Sequence, residues 1–284
     1  MTLREEHVIA RSFGYRFVAD QPDHSLLVVH GIGGHGGIYD VFGGAYAAAG
    51  ADVWAIDLPG CGRSSSTGRR GKFRVEDWVT AISAWAEDVR HRSGGPVVVL
   101  GSSLGVMPAA AAGMDCDAVD AVVLMGHAVA GLSGGAQHPF ASPDGQAILA
   151  LVGEKATVHI DRLIDFDVDY GYVGAAAEKR RDPWNTWEFD LSSYASLFTY
   201  QPPVSPADNT KPIMFAVGEN DPLAPPAMVR SVAERVGGPV EMFVLPDGVH
   251  QLMLFHTAEF VSAIREFVAR TVTPSSTGVP HAHS

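Results

Sequence analysis

A serine flanked by glycines is the feature of this sequence that most directly predicts chemistry. The segment VVLGSSLGVMPA, residues 98–109, contains the pattern Gly-x-Ser-x-Gly with Ser103 at its centre. An apolar run typical of a strand precedes the pattern, and an alanine-rich run typical of a helix follows it. Such a tight connection projects the central serine above a sheet, where it can act as a nucleophile. We therefore favour Ser103 over Ser102 as a nucleophile; a Gly/Ser turn without chemistry is the alternative.

An acid and a base that could activate Ser103 follow it in the chain. Asp221 comes after an apolar run at 212–218, and His250 comes after a second run at 240–248. In open α/β sheets the active groups gather beyond the carboxyl ends of the strands, where all three residues are expected. The order serine, acid, histidine is that of a triad in which the acid orients the histidine. The alternative acids are Glu219 and Asp247.

A glycine-rich segment near the start of the chain predicts the groups that would hold an oxyanion. In VVHGIGGHGG, residues 28–37, the glycines allow backbone N–H groups to approach a ligand closely. We expect the N–H groups of Ile32 and Leu104 to form an oxyanion hole beside the serine. His30 precedes the serine, and we assign it to bracing this loop.

The elements that must position these residues are predicted by near-continuous runs of valine, isoleucine and leucine. Such runs are typical of strands buried on both faces of a parallel sheet; they lie at 25–31, 51–60, 96–102, 121–126, 212–218 and 240–248. Helices are predicted at 39–50, 74–92, 225–238 and 257–271. The alternation indicates an α/β fold with a mostly parallel, twisted sheet flanked by helices. The opening segment 7–20 alternates and predicts an antiparallel hairpin at the sheet edge.

The strand–helix alternation breaks between residues 127 and 210, which predicts a helical cap over the site. We assign residues 1–126 and 211–272 to an α/β core and residues 273–284 to a flexible tail. The aromatic and aliphatic side chains of the cap predict an apolar pocket. The candidate substrate-binding residues are Gly31, His127, Trp184, Leu223 and Gln251. A core histidine is the alternative for His127.

The composition of the chain narrows the classes of partner. The 284 residues carry a formal net charge of −12, which argues against an unaided nucleic-acid or anionic-membrane partner. Two cysteines without CxxC spacing predict neither a disulfide framework nor a structural zinc site. The segment MTLREEHVIARS lacks an apolar signal core, and no apolar run reaches the roughly 18 residues of a membrane span. We therefore expect a cytoplasmic protein with no membrane span; the sequence does not predict its oligomeric state.

Taken together, these motifs resemble an α/β-hydrolase, and more closely the monoacylglycerol lipase and lysophospholipase branch, similar to serine aminopeptidase S33. The resemblance covers most of residues 10–270. The segments that carry it, in order, are HGIGGHGGIYD, IDLPGCGRSSSTGRRGKF, GSSLG, DPW, GENDPLAPP and GVHQ. Three positions depart from the family: Gly34 replaces a glutamate, Ile38 replaces an arginine and Ser102 replaces a histidine. The first two family residues handle a glycerol head group, so their absence predicts no preference for glycerol esters.

The predicted function is hydrolysis of a small-to-medium hydrophobic or aromatic carboxylic ester through an acyl-enzyme, without metal or organic cofactor. The expected partner is a small-molecule ester. The same groups could cleave an amide, a lactone, a carbamate or a carbon–carbon bond, and a monoacylglycerol lipase proper is a further alternative. A non-catalytic ligand-binding protein on this fold is the alternative from another class. Epoxide hydrolases and haloalkane dehalogenases are disfavoured, because they need a carboxylate where this chain has Ser103.

Overall fold

The computed structural model describes residues 3–67, 69–126 and 139–272. In chain order its strands are β1 (Arg4–Ile9), β2 (Ser12–Phe17), β3 (Ser25–Val29), β4 (Asp52–Ile56), β5 (Val97–Ser102), β6 (Ala121–Met125), β7 (Thr157–His159), β8 (Glu188–Asp190), β9 (Ile213–Gly218) and β10 (Val240–Leu245). Its α-helices are α1 (Asp40–Ala48), α2 (Val75–Ser93), α3 (Val106–Asp115), α4 (Pro143–Val152), α5 (Phe166–Tyr170), α6 (Ala175–Arg181), α7 (Leu191–Thr199), α8 (Pro226–Ala233), α9 (Leu252–Phe255) and α10 (Thr257–Thr271).

Eight strands form one sheet in the order β1-β2-β4-β3-β5-β6-β9-β10. The six strands from β4 to β10 pair in parallel, and the β1–β2 hairpin joins β4 antiparallel at the edge. The predicted α/β fold, its six parallel strands and its edge hairpin are therefore confirmed, but β10, at the other edge of the sheet, is half-buried rather than buried at every position except Leu245. The helix predicted at 225–238 is shorter than expected and ends at Ala233.

The central strands are buried at every position because helices cover both faces of the sheet. Leu27 and Val29 of β3 pack into a core with α2, α3 and α8. Leu26 and Val28 of the same strand point the opposite way, into a core with α1 and α10. Each such side chain contributes about 1.5–3 kcal/mol when fully buried. This double burial makes the strand ends a rigid platform for the residues that follow them.

The insertion between β6 and β9 is described from residue 139 onward, and it is not wholly helical. It contains α4 to α7 and a two-stranded antiparallel ladder, β7 with β8, in which Val158 faces Phe189. Strands of three residues are too short to show alternation, so this ladder could not be predicted from the sequence. Residues 127–138 and the predicted tail at 273–284 lie outside the described residues. No helix in the described part of the chain is long and apolar enough to cross a membrane.

Candidate active site

The serine elbow has the geometry that its glycines predict. Ser103 follows the last residue of β5 and adopts a φ of +52°, which a non-glycine residue tolerates only at a cost of roughly 1–3 kcal/mol. A Cβ on Gly101 would lie 2.6 Å from the Cβ of Ala109, and one on Gly105 would lie 2.4 Å from the carbonyl oxygen of His30. Only glycine fits either position, so strand, turn and helix close tightly around the serine.

Ser103, His250 and Asp221 lie in one hydrogen-bonded series. The Nε2 atom of His250 is 3.1 Å from Ser103 Oγ, and its Nδ1 atom is 2.7 Å from Asp221 Oδ2. His250 is fully buried and Asp221 is nearly so, whereas Ser103 is half-buried. The structure thus brings together three side chains that are 118 and 29 residues apart in sequence order.

The carboxylate beside His250 belongs to Asp221 and to neither alternative acid. Asp221 Oδ1 accepts hydrogen bonds of 2.9 Å from the backbone N–H groups of Leu223 and Ala224, which leaves Oδ2 for the histidine. Glu219 is exposed and accepts from the backbone N–H of Asp247, which is itself exposed. The loop after β9 therefore fixes the orientation of the acid that contacts His250 Nδ1.

The pKa of His250 lies above its ordinary value because opposing effects do not cancel. Burial lowers the pKa, but the hydrogen bond to Asp221 and the negative charges of Asp169 and Asp221 raise it by more. Asp169 Oδ1 is 3.6 Å from His250 Nε2, on the side that faces the serine. The neutral imidazole, which alone can accept a proton, is therefore the form present above this raised pKa.

The two backbone groups expected to hold an oxyanion flank Ser103. A Cβ on Gly31 would lie 3.0 Å from the Cβ of Ser103, so the loop that carries Ile32 closely approaches the serine. The Leu104 N–H directly follows Ser103. Neither the Ile32 nor the Leu104 N–H donates a backbone or side-chain hydrogen bond within the described part of the chain. Both donors are thus free for a ligand oxygen.

His30 braces this loop from below. Burial lowers the pKa of His30 to about 3, so the ring is neutral. Its Nε2 accepts a hydrogen bond of 3.1 Å from the Leu58 N–H, and its Nδ1–H therefore donates to the Gly31 carbonyl at 2.7 Å. Both ring nitrogens are occupied by the backbone, which leaves His30 no capacity to act as a base for Ser103.

A small cavity of about 30 Å³ lies over Ser103. Three of the predicted substrate-binding residues line it: Gly31, Leu223 and Gln251. Trp184 does not; it is 40% exposed, near the guanidinium groups of Arg63 and Arg70. His127 lies outside the described residues.

A larger groove of about 610 Å³ lies elsewhere, between the β1–β2 turn, α2 and the insertion. It contains none of the three hydrogen-bonded residues, and no described histidine lines it. Its charged side chains include Lys72 and Glu154, which pair with each other at 3.1 Å. Size alone therefore does not mark the site; we assign the candidate site to the smaller cavity, where Ser103 and His250 meet.

Two ionisable residues of the insertion line the cavity and were missed by the sequence analysis. Asp169 of α5 is 6% exposed, and its Oδ1 accepts a hydrogen bond of 3.1 Å from Gln251 Nε2. Lys179 of α6 is 8% exposed, and its Nζ donates to Asn185 Oδ1 at 3.3 Å. The sequence holds no motif around either residue; only their burial beside Ser103 reveals them.

The insertion is tied directly to the loop that carries Ile32. His35 Nδ1 accepts a hydrogen bond from the Gly37 N–H, so its Nε2–H donates to Asp182 Oδ2 at 2.7 Å. The Thr186 N–H donates to the Gly33 carbonyl at 3.0 Å. Movement of the insertion would therefore displace the loop that carries Ile32, which we call the oxyanion loop for its expected role.

The mostly parallel eight-stranded sheet, the serine elbow after β5, and the acid and histidine after β9 and β10 together define an α/β-hydrolase. The sequence profile of the serine aminopeptidase S33 family of hydrolases matches residues 20–255, and the chain belongs to that family.

Known relatives agree with this assignment. A monoacylglycerol lipase of Mycolicibacterium smegmatis is 28% identical over 265 residues, which are 88% of this chain and 91% of the lipase. The crystal structure of a Paleococcus ferrophilus monoacylglycerol lipase is similar with a TM-score of 0.67, at 20% identity over 94% of this chain and 100% of the other. A soluble variant of Saccharomyces cerevisiae monoglyceride lipase gives a TM-score of 0.72, at 14% identity over 96% of each chain. The resemblance to the monoacylglycerol lipase branch is thereby confirmed.

Proposed function

We propose that the protein is a serine hydrolase that cleaves carboxylic esters through an acyl-enzyme. The single observation that supports this most is the series Asp221–His250–Ser103, with contacts of 2.7 and 3.1 Å, at a strand–helix elbow. A serine hydroxyl is a weak nucleophile by itself and needs an adjacent, oriented base. Each of the three groups has the partner that this role requires.

In the proposed mechanism Ser103 Oγ attacks the ester carbonyl while His250 Nε2 takes the hydroxyl proton. The Ile32 and Leu104 N–H groups donate to the oxyanion of the tetrahedral intermediate, and losing one such donor typically costs about 100- to 1000-fold in rate. The intermediate collapses, His250 returns the proton to the leaving alcohol, and an acyl-serine remains. Water then attacks the acyl-serine by the same steps and releases the acid.

The lining of the cavity supports a hydrophobic or aromatic ester as substrate. The apolar side chains that face it are Ile32, Ile38, Ile164, Phe166, Tyr170 and Leu223. Each substrate CH₂ buried against such a surface contributes about 0.8 kcal/mol. Gly34 and Ile38 line the cavity at the positions where the resemblance to the lipase family implies a glutamate and an arginine, so we propose no preference for a glycerol leaving group.

The named relatives are monoacylglycerol or monoglyceride lipases, and this makes a glycerol ester the second candidate substrate. The ratio of kcat/KM for a monoacylglycerol to that for the ethyl ester of the same acid separates the two proposals. A ratio near one supports the simple-ester proposal. A ratio of ten or more would support the lipase proper, with polar contacts from the insertion replacing those lost at Gly34 and Ile38.

We also propose that the insertion, residues 127–210, acts as a cap on the core formed by residues 1–126 and 211–272. The support for this proposal is that α5 and α6 contribute Phe166, Asp169 and Lys179 to the cavity above Ser103.

The test of the proposed chemistry is covalent labelling. A fluorophosphonate should modify Ser103, as mapped by mass spectrometry, and inactivate the protein in proportion to the labelling. The Ser103→Ala variant is the control and should remain unlabelled. Modification of Ser102, or the absence of any adduct on the active protein, would overturn the assignment.

A further inference from the structure

Lys179 places a buried cation inside the active-site cavity. Its side chain extends from α6 of the insertion and lines the same cavity as Ser103 and Gly31. Lysine side chains are rarely buried this deeply unless a partner compensates the charge. The question is therefore what compensates the ammonium group of Lys179.

The surroundings of Lys179 stabilise the ammonium group only in part. Its Nζ has one protein acceptor, Asn185 Oδ1 at 3.3 Å. The centroids of Phe166, Tyr170 and Trp187 lie 5.2, 5.8 and 6.0 Å from the nitrogen, so aromatic faces stabilise part of the charge but accept none of its hydrogen bonds. Among the described residues no carboxylate oxygen lies within 4 Å of this nitrogen. An ammonium group has three N–H donors, and two of them are left for a ligand.

The carboxylate that lines the same cavity, Asp169, has partners of its own. Asp169 Oδ1 accepts from Gln251 and lies 3.6 Å from His250 Nε2, on the side where the proposed mechanism protonates the leaving alcohol. Lys179 lies instead towards the oxyanion loop, because its partner Asn185 precedes Thr186, whose N–H donates to the Gly33 carbonyl. Asp169 and Asp182 act on Lys179 through their charges alone, so neither carboxylate takes up its remaining N–H donors.

We propose that Lys179 binds a carboxylate on the acyl part of the substrate, so that the enzyme prefers monoesters of dicarboxylic acids. This inference rests on the proposed ester hydrolysis. The carboxylate of the substrate would supply the acceptors that the protein does not, and the aliphatic stem between the two carboxyl carbons would lie on the apolar lining. A hydrogen bond between two charged groups in a cavity closed to solvent is stronger than a neutral one, and it changes affinity by about ten- to hundred-fold.

The experiment compares matched pairs of ethyl esters by ethanol release. The acidic members are the monoethyl esters of succinic, glutaric and adipic acids, and the neutral members are ethyl pentanoate, hexanoate and heptanoate. The quantity compared is the ratio of kcat/KM for the acidic ester to that for the neutral ester of the same length. Because both esters are measured with the same preparation, the ratio does not depend on the fraction of folded protein in a variant.

We expect the wild-type ratio to exceed one for at least one chain length. Lys179→Met should lower that ratio about ten- to hundred-fold, and Lys179→Arg, which keeps the charge, should restore part of it. The matched control is Arg181→Met, which removes an exposed charge from the same helix and should change the ratio less than about two-fold because solvent screens it.

A second measurement needs no variant. Burial lowers the pKa of Lys179 to about 8, while the charges of Asp169 and Asp182 oppose the shift. The ammonium group therefore loses its proton as the pH rises through this value. The wild-type ratio should fall above pH 8, whereas kcat/KM for the neutral ester should not follow it.

The possible outcomes separate this inference from the proposed function. Hydrolysis of the neutral esters with a wild-type ratio at or below one for all three lengths would overturn the role of Lys179 and leave ester hydrolysis standing. An unchanged ratio in Lys179→Met would do the same. Hydrolysis of none of the six esters would overturn both.

Discussion

The α/β core and the insertion hold their cavity residues in place by different kinds of contact. In the core, Ser103 and Gly31 are fixed by strands buried on both faces and by backbone contacts that admit only glycine. In the insertion, helices of five to seven residues carry Asp169 and Lys179, whose contacts are side-chain hydrogen bonds and ring faces. The comparison teaches that the proposed reacting groups depend on backbone geometry, whereas the groups that would select a substrate depend on side chains that can be exchanged.

Removing the nucleophile should have the largest effect. Ser103→Ala should lower kcat by about 10⁶-fold, because loss of one member disables a triad that acts as a unit. The fold should persist, since alanine relieves rather than adds crowding at the elbow. The kcat of the purified variant and its circular dichroism spectrum check both statements. Residual activity within about 100-fold of wild type would mean that another group attacks the ester.

Neutralising the acid should have the second largest effect. Asp221→Asn should lower kcat about 10⁴-fold, because the amide no longer holds the imidazole in the tautomer that accepts from Ser103. Glu219→Asn is the matched control on the same loop, and it should retain activity because Glu219 is exposed and contacts a backbone N–H away from the histidine. Equal losses in the two variants would refute the assignment of the acid.

Removing the hydrogen bond between His35 of the core and Asp182 of the insertion should lower the free energy of unfolding more than it lowers kcat. Asp182→Ala leaves the buried His35 without its acceptor, and we expect a loss of about 1–3 kcal/mol in the free energy of unfolding. KM should rise more than kcat falls, because the insertion is then less firmly held against the oxyanion loop.

The control is Asp161→Ala, which breaks an exposed ion pair with Arg180 and should cost about 0–1 kcal/mol. Thermal and denaturant unfolding, measured beside ester hydrolysis, give both quantities. Equal destabilisation by the two variants would show that the His35–Asp182 tie is no stronger than a surface pair.

Removing the negative charge of Asp169 beside His250 should shift the pH dependence of kcat/KM. The Asp169 carboxylate is one of the groups that raise the pKa of His250, so Asp169→Asn should lower that pKa. Neutral imidazole then persists to lower pH, and the acid limb of the kcat/KM profile should move towards lower pH. Glu178→Gln, an exposed change in the same insertion, should leave the limb in place. An unmoved limb in Asp169→Asn would mean that its charge does not act on His250.

Trp184 should give the smallest effect, although its residue type suggested a role in binding. The side chain lies near Arg63 and Arg70 rather than in the cavity, so Trp184→Ala should change stability by about 0.5 kcal/mol or less and leave KM unchanged. Phe166→Ala, which does alter the cavity wall, is the contrasting variant. A marked rise in KM for Trp184→Ala would restore the sequence-based assignment.

The core could be predicted because each of its features is local in the sequence. Six apolar or small residues in a row predict the strand at 97–102, and the glycines around Ser103 lie at its end. The order of Asp221 and His250 after the last strands then follows from the general geometry of open sheets. The juxtaposition of these three residues was thus expected before any distance was known.

The insertion could not be predicted in the same way because its contacts join residues far apart in sequence. Asp169 meets Gln251 across 82 residues, and His35 meets Asp182 across 147. Neither pair has a motif, and elements of three to seven residues carry no periodic signal. The aromatic side chain of Trp184 suggested a pocket residue, but a tryptophan can also pack against arginines at the surface, as it does here.

The small volume of the cavity over Ser103 has a consequence for affinity. Its 30 Å³ holds a water molecule or two, whereas sites for drug-sized ligands measure about 300–1,000 Å³. An ester substrate therefore needs a wider cavity than this conformation has, and its apparent dissociation constant equals the intrinsic one divided by the population of the wider conformation. If about one molecule in a hundred has the wider conformation, the apparent affinity is about a hundred-fold weaker than the contacts alone provide. Substitutions that favour the wider conformation should accordingly lower KM without touching the substrate at all.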